Sequence, residues 1–355
     1  MSAPAGRGTS AGPRRPTTTD ISHATAPTLE MVAAEAGVSR STVSRVINES
    51  PKVTPEAVAA VSAAIERLGY VPNRAARTLA SRRTLTVALV IPENTARFFA
   101  DPYFAAVIQG VAMYLSGTEY TLTLLIAAES DAVKTRRYLR AGNVDGALIL
   151  SHHKDDHSYS AVTGELPVVF GGRPMSAEGP GAHYVDVDNV AAARAVTDRL
   201  VASGRRRIAT IAGPQDMAAG LDRLEGWRLS LAAAGIADDL VEIGDFSPAS
   251  GAAAMRRLLE AGERIDGLFV ASAQMASGAL DVLHERGLAV PGDLGLVTID
   301  DDYFAQSARP PLTTIDQPTT GVGERMAEVL LDLIAGGDVP ASTILPTRLV
   351  DRGSA

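Results

Sequence analysis

The 355-residue chain is 46% apolar, carries 33 Lys and Arg against 41 Asp and Glu, and has no cysteine; wholesale disorder, disulfides and thiolate metal sites are excluded. No apolar run approaches the roughly 20 residues that span a bilayer, and no signal-peptide core opens the chain, so a cytoplasmic protein is expected. The net charge of −8 hides a division: residues 1–83 hold 11 Lys and Arg against 6 Asp and Glu, a balance of +5 that leaves −13 for the rest. A basic head suits phosphate neutralisation, and an acidic body is repelled by phosphate.

Residues 1–26 are rich in Ser, Thr, Ala, Gly and Pro, with three arginines and no apolar period, and read as a disordered tail. Thr28 is then a candidate N-cap for a helix that Gly37 ends, and Ser39 caps a second helix with Val43, Val46 and Ile47 inward and Arg40, Ser41, Ser44, Arg45 and Asn48 outward. A third helix is predicted from Thr54-Pro55 to Leu68-Gly69, burying Val58, Val61, Ile65 and Leu68. Three helices in this span, the first two joined by a Gly-containing turn, match a helix-turn-helix unit over residues 27–72. Residues 73–84 are short, basic and read as a linker. Strands are predicted at Thr86–Ile91, Thr121–Ile126, Gly146–Leu150, Pro167–Phe170, Ile208–Ala212, Gly267–Val270 and Leu294–Ile299, with helices such as Phe104–Leu115 and Lys134–Ala141 between them. That alternation over residues 85–355 means parallel sheets covered by helices.

Thr28 to Asn48 reads TLEMVAAEAGVSRSTVSRVIN and Gly69 to Leu79 reads GYVPNRAARTL. Together with VDGALIL (144–150), LPVVFGGRP (166–174), VDN (187–189), RRRIATIAGP (205–214) and RPPLTTIDQP (309–318), these closely resemble the LacI/GalR family of bacterial transcriptional regulators. The resemblance implies an all-α helix-turn-helix head and an α/β sensor of two Rossmann-like parallel-sheet lobes, shaped like a periplasmic sugar-binding protein. It also implies a homodimer or tetramer, associated with the nucleoid, that binds double-stranded, pseudo-palindromic operator DNA.

Base reading needs donors and acceptors projecting from a helix in the major groove, where all four base pairs differ. Arg40, Ser41 and Arg45 occupy that face, and Arg45 suits bidentate pairing with guanine. Thr28, Ser39, Thr42, Ser44 and Asn48 offer short polar groups for phosphates, which fix register. Residues 73–82 resemble the family's hinge helix, with Leu79 at the minor-groove wedge position beside Asn73, Arg74 and Ala80. Too short to be stable alone, such a helix would couple sensor spacing to DNA.

A sensor cleft needs hydrogen-bonding side chains and an aromatic face. By resemblance, Arg223 in DRLEGW and Phe246 in DFSPASG match the effector-binding arginine and stacking aromatic; Asp101, Tyr103 and Phe104 border the cleft, and Asp300 ends a strand pointing into it. Ser272-Ala273 stands where many members carry Asn-Asp, and Gly172 replaces a frequent aspartate before Arg173. This loss of two carboxylates leaves three readings open: a neutral carbohydrate bound partly through Ser272 and an extended ENTARFFADPYF loop, an anionic sugar derivative drawn by Arg173 and Arg223, or control by a phosphocarrier protein. His152, His153 and His157 with Asp155 and Asp156 read as a solvated loop, not a metal cluster, and Trp227 as core. No nucleophile elbow or phosphate loop is present, so no enzyme, catalytic residue, cofactor or metal is expected.

Overall fold

The structure, a computed structural model, describes residues 27–47, 50–71, 83–126, 132–154, 164–175 and 182–355. The tail, Asn48, Asn73, Arg74, Leu79, Ala80 and Asp155 to His157 lie outside the described residues. The chain divides into two compact units between residues 82 and 83.

In the head, α1 (Leu29–Ala36) is capped by Thr28, whose hydroxyl accepts from the Met31 N–H, and ends at Gly37 in the left-handed region, φ 65°. Helix α2 (Arg40–Ile47) follows after Val38 and Ser39, and α3 (Pro55–Leu68) starts at Pro55 behind the Thr54 cap. Val32, Val43, Val61 and Ala64 are fully buried between the three helices, with Val46, Ile47, Ile65 and Leu68 packed around them. Val58 departs from the expected stripe. It lies outside this core and is 41% exposed, because the core closes at Val61 and does not reach the first turn of α3.

The body opens with β1 (Thr86–Ile91), α4 (Thr95–Ala100), α5 (Pro102–Leu115), β2 (Thr121–Ile126), α6 (Ala132–Arg140), β3 (Gly146–Leu150), β4 (Val168–Gly171) and β5 (His183–Val187). It continues with α7 (Asn189–Ala202), β6 (Ile208–Ala212), α8 (Ala218–Ala234), β7 (Val241–Ile243), α9 (Pro248–Glu260), β8 (Gly267–Val270), α10 (Ala273–Glu285) and β9 (Gly295–Ile299). The last elements are α11 (Tyr303–Ser307), β10 (Thr313–Asp316), α12 (Thr319–Ile334), β11 (Ser342–Leu345) and β12 (Arg348–Val350). Segment 93–104 is therefore not an extended loop. Asn94 caps the short α4 by accepting from the Arg97 N–H, and Asp101 caps α5 in turn.

Two six-stranded sheets result, in the orders β11-β5-β4-β3-β1-β2 and β12-β10-β9-β8-β6-β7. Every pairing is parallel except β10 with β12. Parallel strands covered on both faces read as unbroken apolar runs, and β1, β3, β6, β8 and β9 do so. Because β11 joins the first sheet and α12 packs on α5, the chain passes between lobes three times among the described residues, after β5, after β10 and after β11. The covering helices approach closely: a Cβ on Gly110 of α5 would fall 1.9 Å from the Thr320 carbonyl of α12, and one on Gly278 of α10 1.9 Å from that of Pro248 on α9. Trp227, fully buried, anchors the second lobe's core against strands and helices alike. Among the described residues no helix is long and apolar enough to cross a membrane.

Candidate functional site

Helix α2 carries the head's polar face. Ser39 Oγ accepts from the Thr42 N–H at 3.1 Å and lies 2.8 Å from both Ser41 Oγ and Thr42 Oγ1, so one hydroxyl caps the helix and orders its first turn. Arg40, Ser41 and Arg45 are exposed, and their spacing puts them on one helix face. Arg40 meets Glu30 of α1 at 3.2 Å, with both side chains more than half exposed, so this pair orients the guanidinium more than it stabilises the fold. Thr28 and Ser39 are exposed, and Thr42 and Ser44 half-buried.

The body's cleft is lined by all eight residues expected there from the sequence, Asp101, Tyr103, Phe104, Arg173, Arg223, Phe246, Ser272 and Asp300. Arg97, Ser151, His152, Asp186, Asn189, Gln274 and Gln317 also line it and were not anticipated. Three of these additions, Asp186, Asn189 and Gln317, lie where the chain passes between lobes. At the end of β5, Asp186 Oδ1 accepts from the Val187 N–H at 2.7 Å and from Asn189 Nδ2 at 3.1 Å, while Oδ2 accepts from the Arg173 N–H at 2.8 Å. Asn189 Oδ1 in turn accepts from Arg223 Nε at 2.9 Å, and Arg223 Nη1 donates to the Ala271 carbonyl at 2.7 Å. After β10, Gln317 donates to the Asp300 carboxylate. The motif VDVDN held a signal for Asp186, since a carboxylate two residues before a helix cap at a strand end is aimed at the crevice.

Aromatic surface completes the cleft. Phe246, at φ 69°, holds its ring 5.8 Å from the Arg223 guanidinium carbon, within cation–π range. Gly213 makes room for that ring, because a Cβ there would lie 2.5 Å from it. Phe104 is both core and lining, packed on Phe98 and Tyr103.

The carboxylates are tuned upward. Burial, opposed by the Tyr103 N–H and reinforced by the charge of Asp300, pushes Asp101 up to about 6. Burial, with Asp300 again adding, takes Asp302, the cap of α11, to about 7. Asp300 and Asp186 are raised chiefly by burial and held back by Arg223 and by a backbone N–H from Ala273 or Arg173 respectively. The cleft is thus not poor in carboxylates. Ser272 is spent as the cap of α10, accepting from the Met275 N–H, and Asp300 takes the Ala273 N–H where the family's second-lobe aspartate is missing.

His152 and His153 are not in a solvated loop. His152 is 7% exposed, and His153 is bracketed by Glu93 and Asp216.

A three-helix head with an exposed polar recognition face, joined to two parallel-sheet lobes around a polar and aromatic cleft, defines a ligand-responsive DNA-binding regulator. Residues 28–73 match the bacterial regulatory proteins of the lacI family, and residues 197–355 match a periplasmic binding protein-like domain. The chain belongs to the lacI family of transcriptional regulators. It is 48% identical over 335 residues to the HTH-type transcriptional regulator CelR of Thermobifida fusca, covering 92% of this chain and 98% of CelR. It is 34% identical to the transcriptional repressor PurR of Proteus mirabilis, covering 92% and 96%. Among solved structures, a CelR–cellobiose complex matches with a TM-score of 0.74 at 45% identity, over 93% of this chain and all of that one. The lac repressor dimer bound to operator and the anti-inducer ONPF matches with a TM-score of 0.82 at 29% identity, over 93% and 99%.

Proposed function

We propose that this regulator is a cytoplasmic, homodimeric repressor whose operator affinity is set by a neutral sugar in the interlobe cleft, a β-linked glucose disaccharide of the cellobiose type. The observation that carries this reading is the cleft's set of acceptors, donor and aromatic faces. Asp101, Asp186 and Asp300 offer acceptors to vicinal hydroxyls, Arg223 offers a donor, and Phe246 and Tyr103 offer faces for the C–H side of a pyranose. An anionic effector meets those buried carboxylates at close range, while Arg173 is paired with Asp222 at 2.6 Å and Arg97 with Glu93 at 3.3 Å. The same carboxylates remove the reason for preferring a phosphocarrier partner. The likeness to the cellobiose-bound relative supports the choice of sugar.

On the DNA side, Arg40, Ser41 and Arg45 read bases and Thr28, Ser39, Thr42, Ser44 and Asn48 hold phosphates. Residues 73–84 form the hinge, with Asn73, Arg74, Leu79 and Ala80 in the minor groove. Calorimetric titration with cellobiose, glucose and glucose 6-phosphate tests the effector: cellobiose saturates at one site per protomer, and Arg223→Ala abolishes this while operator binding persists. Tighter binding of the phosphate ester than of cellobiose would overturn the neutral-sugar reading.

A further inference from the structure

The rim of the cleft carries a charged contact that joins the lobes. In the first lobe, Glu93 follows β1 and is 5% exposed; its Oε1 accepts from Ser151 Oγ at 2.5 Å and lies 3.3 Å from Arg97 Nη1. Ser151, directly after β3, is held at φ 58°, a left-handed conformation that a serine rarely adopts without being fixed by its surroundings. Two residues on, His153 places Nε2 3.2 Å from Glu93 Oε1 and Nδ1 2.8 Å from Asp216 Oδ2. Asp216 belongs to the second lobe, in the loop between β6 and α8, and its carbonyl accepts from the Lys154 N–H at 2.8 Å. The Arg173–Asp222 pair bridges the same lobes a short way along the chain.

Both ring nitrogens of His153 face carboxylates, which accept and cannot donate when ionised, so the geometry is satisfied only by the doubly protonated imidazolium. We propose that His153 is a positioning residue, a proton-dependent clasp that closes the two lobes over the effector by bridging Glu93 to Asp216. Glu93 travels with His153 in the same lobe; Asp216 is gained only on closure. Closing the lobes therefore raises the affinity of His153 for its proton, and by linkage protonation favours closing.

The groups facing His153 fix the sign. Glu93 first, against the opposing effect of burial, and then Asp216 raise its pKa to about 9 in the closed form, where the side chain is 15% exposed. Burial works to raise Glu93, but the His153 and Ser151 hydrogen bonds and the charge of Arg97 outweigh it and hold that carboxyl ionised. With Asp216 withdrawn, His153 titrates lower. The clasp is thus fully engaged below the open-form pKa and is lost as pH rises through about 9. Effector affinity falls about tenfold between pH 7 and 9.5, the scale expected when one group's pKa differs by one or two between open and closed forms.

The link to effector affinity rests on the cleft reading above; the clasp itself is tested without a ligand. In the full-length protein, the His153 Cε1–H resonance, assigned by its loss in His153→Gln, is expected to titrate above an ordinary histidine without a ligand, because open and closed forms exchange, and to approach pH 9 as the closed form fills. Asp216→Asn, an exposed position that leaves the backbone contact to Lys154 in place, is expected to move that midpoint clearly downward. An unchanged midpoint overturns the clasp. Calorimetry with cellobiose should then show the tenfold fall with pH in the wild type and a flat, weaker profile in His153→Gln; a wild-type affinity independent of pH from 7 to 9.5 overturns the coupling. Failure of cellobiose to bind at any pH counts against the effector reading alone, because the resonance titration has already decided the clasp.

Discussion

The head and the body place the residues proposed to recognise DNA and effector in opposite environments. In the head, Arg40, Ser41 and Arg45 stand in solvent on a helix held by a few buried side chains, Val32, Val43, Val61 and Ala64 among them, and serine and threonine caps set the helix boundaries. In the body, Arg223 is 7% exposed, and its neighbours Asp186, Asn189 and Asp300 are hydrogen-bonded to one another, to backbone or to Gln317. A DNA surface is wide and is met by solvent-exposed side chains; a sugar-sized ligand is met by buried groups that order one another. Substitutions in the head should accordingly change recognition without changing stability, whereas those in the body should couple the two.

The sharpest break of that contrast would come from Arg45→Ala. Loss of one bidentate base contact costs about 1–3 kcal/mol, and a dimer loses it in both half-sites, so operator affinity should drop a hundredfold or more at fixed salt. Thermal melting should be unchanged, and a lowered melting temperature would mean that Arg45 belongs to the fold. Trp227→Ala makes the opposite test: a fully buried indole removed from the second lobe's core should cost about 3–5 kcal/mol in urea unfolding. Gly213→Ala sits between the two. Its Cβ displaces the Phe246 ring, so cellobiose affinity should weaken about tenfold while operator affinity stays within twofold, an effect of the size of one lost stacking contact. The smallest effect concerns pH. Asp302, raised from 3.8 to about 7, binds its proton more tightly folded than unfolded, so its contribution to the fold is fully present below 3.8 and is lost as pH rises through about 7. Asp302→Asn keeps a capping oxygen and removes the charge, and should raise the melting temperature by about 2 °C more at pH 8 than at pH 4.

The same contrast explains what could be read from the sequence. Helix boundaries in the head are written in adjacent residues, so the Thr28, Ser39 and Thr54 caps and the Gly37 and Gly69 stops were legible, as were β1, β2, β3, β6 and β8 to the residue. Val58 was misplaced because helical period says which face is apolar, not how far the packing partner extends. Helix α4 was missed because six residues give too little period to see. The cleft draws on residues from Arg97 to Gln317, brought together by the passages between lobes, and no local pattern joins them. Asp300 filling in for a missing aspartate, and His153 meeting Asp216 across 63 residues, are likewise facts of tertiary structure.

The threefold passage of the chain between the lobes bears on how such a protein can be recombined. A single junction near residue 83 separates the head, so a new operator specificity can be grafted by one crossover in the gene. The lobes admit no such exchange. The outermost strand of the first sheet, Ser342–Leu345, and the antiparallel strand of the second, Arg348–Val350, are neighbours in sequence, so any cut or chimera joined just before them removes an edge from both sheets at once. One crossover can therefore trade the DNA head, but it cannot trade either sensor lobe whole.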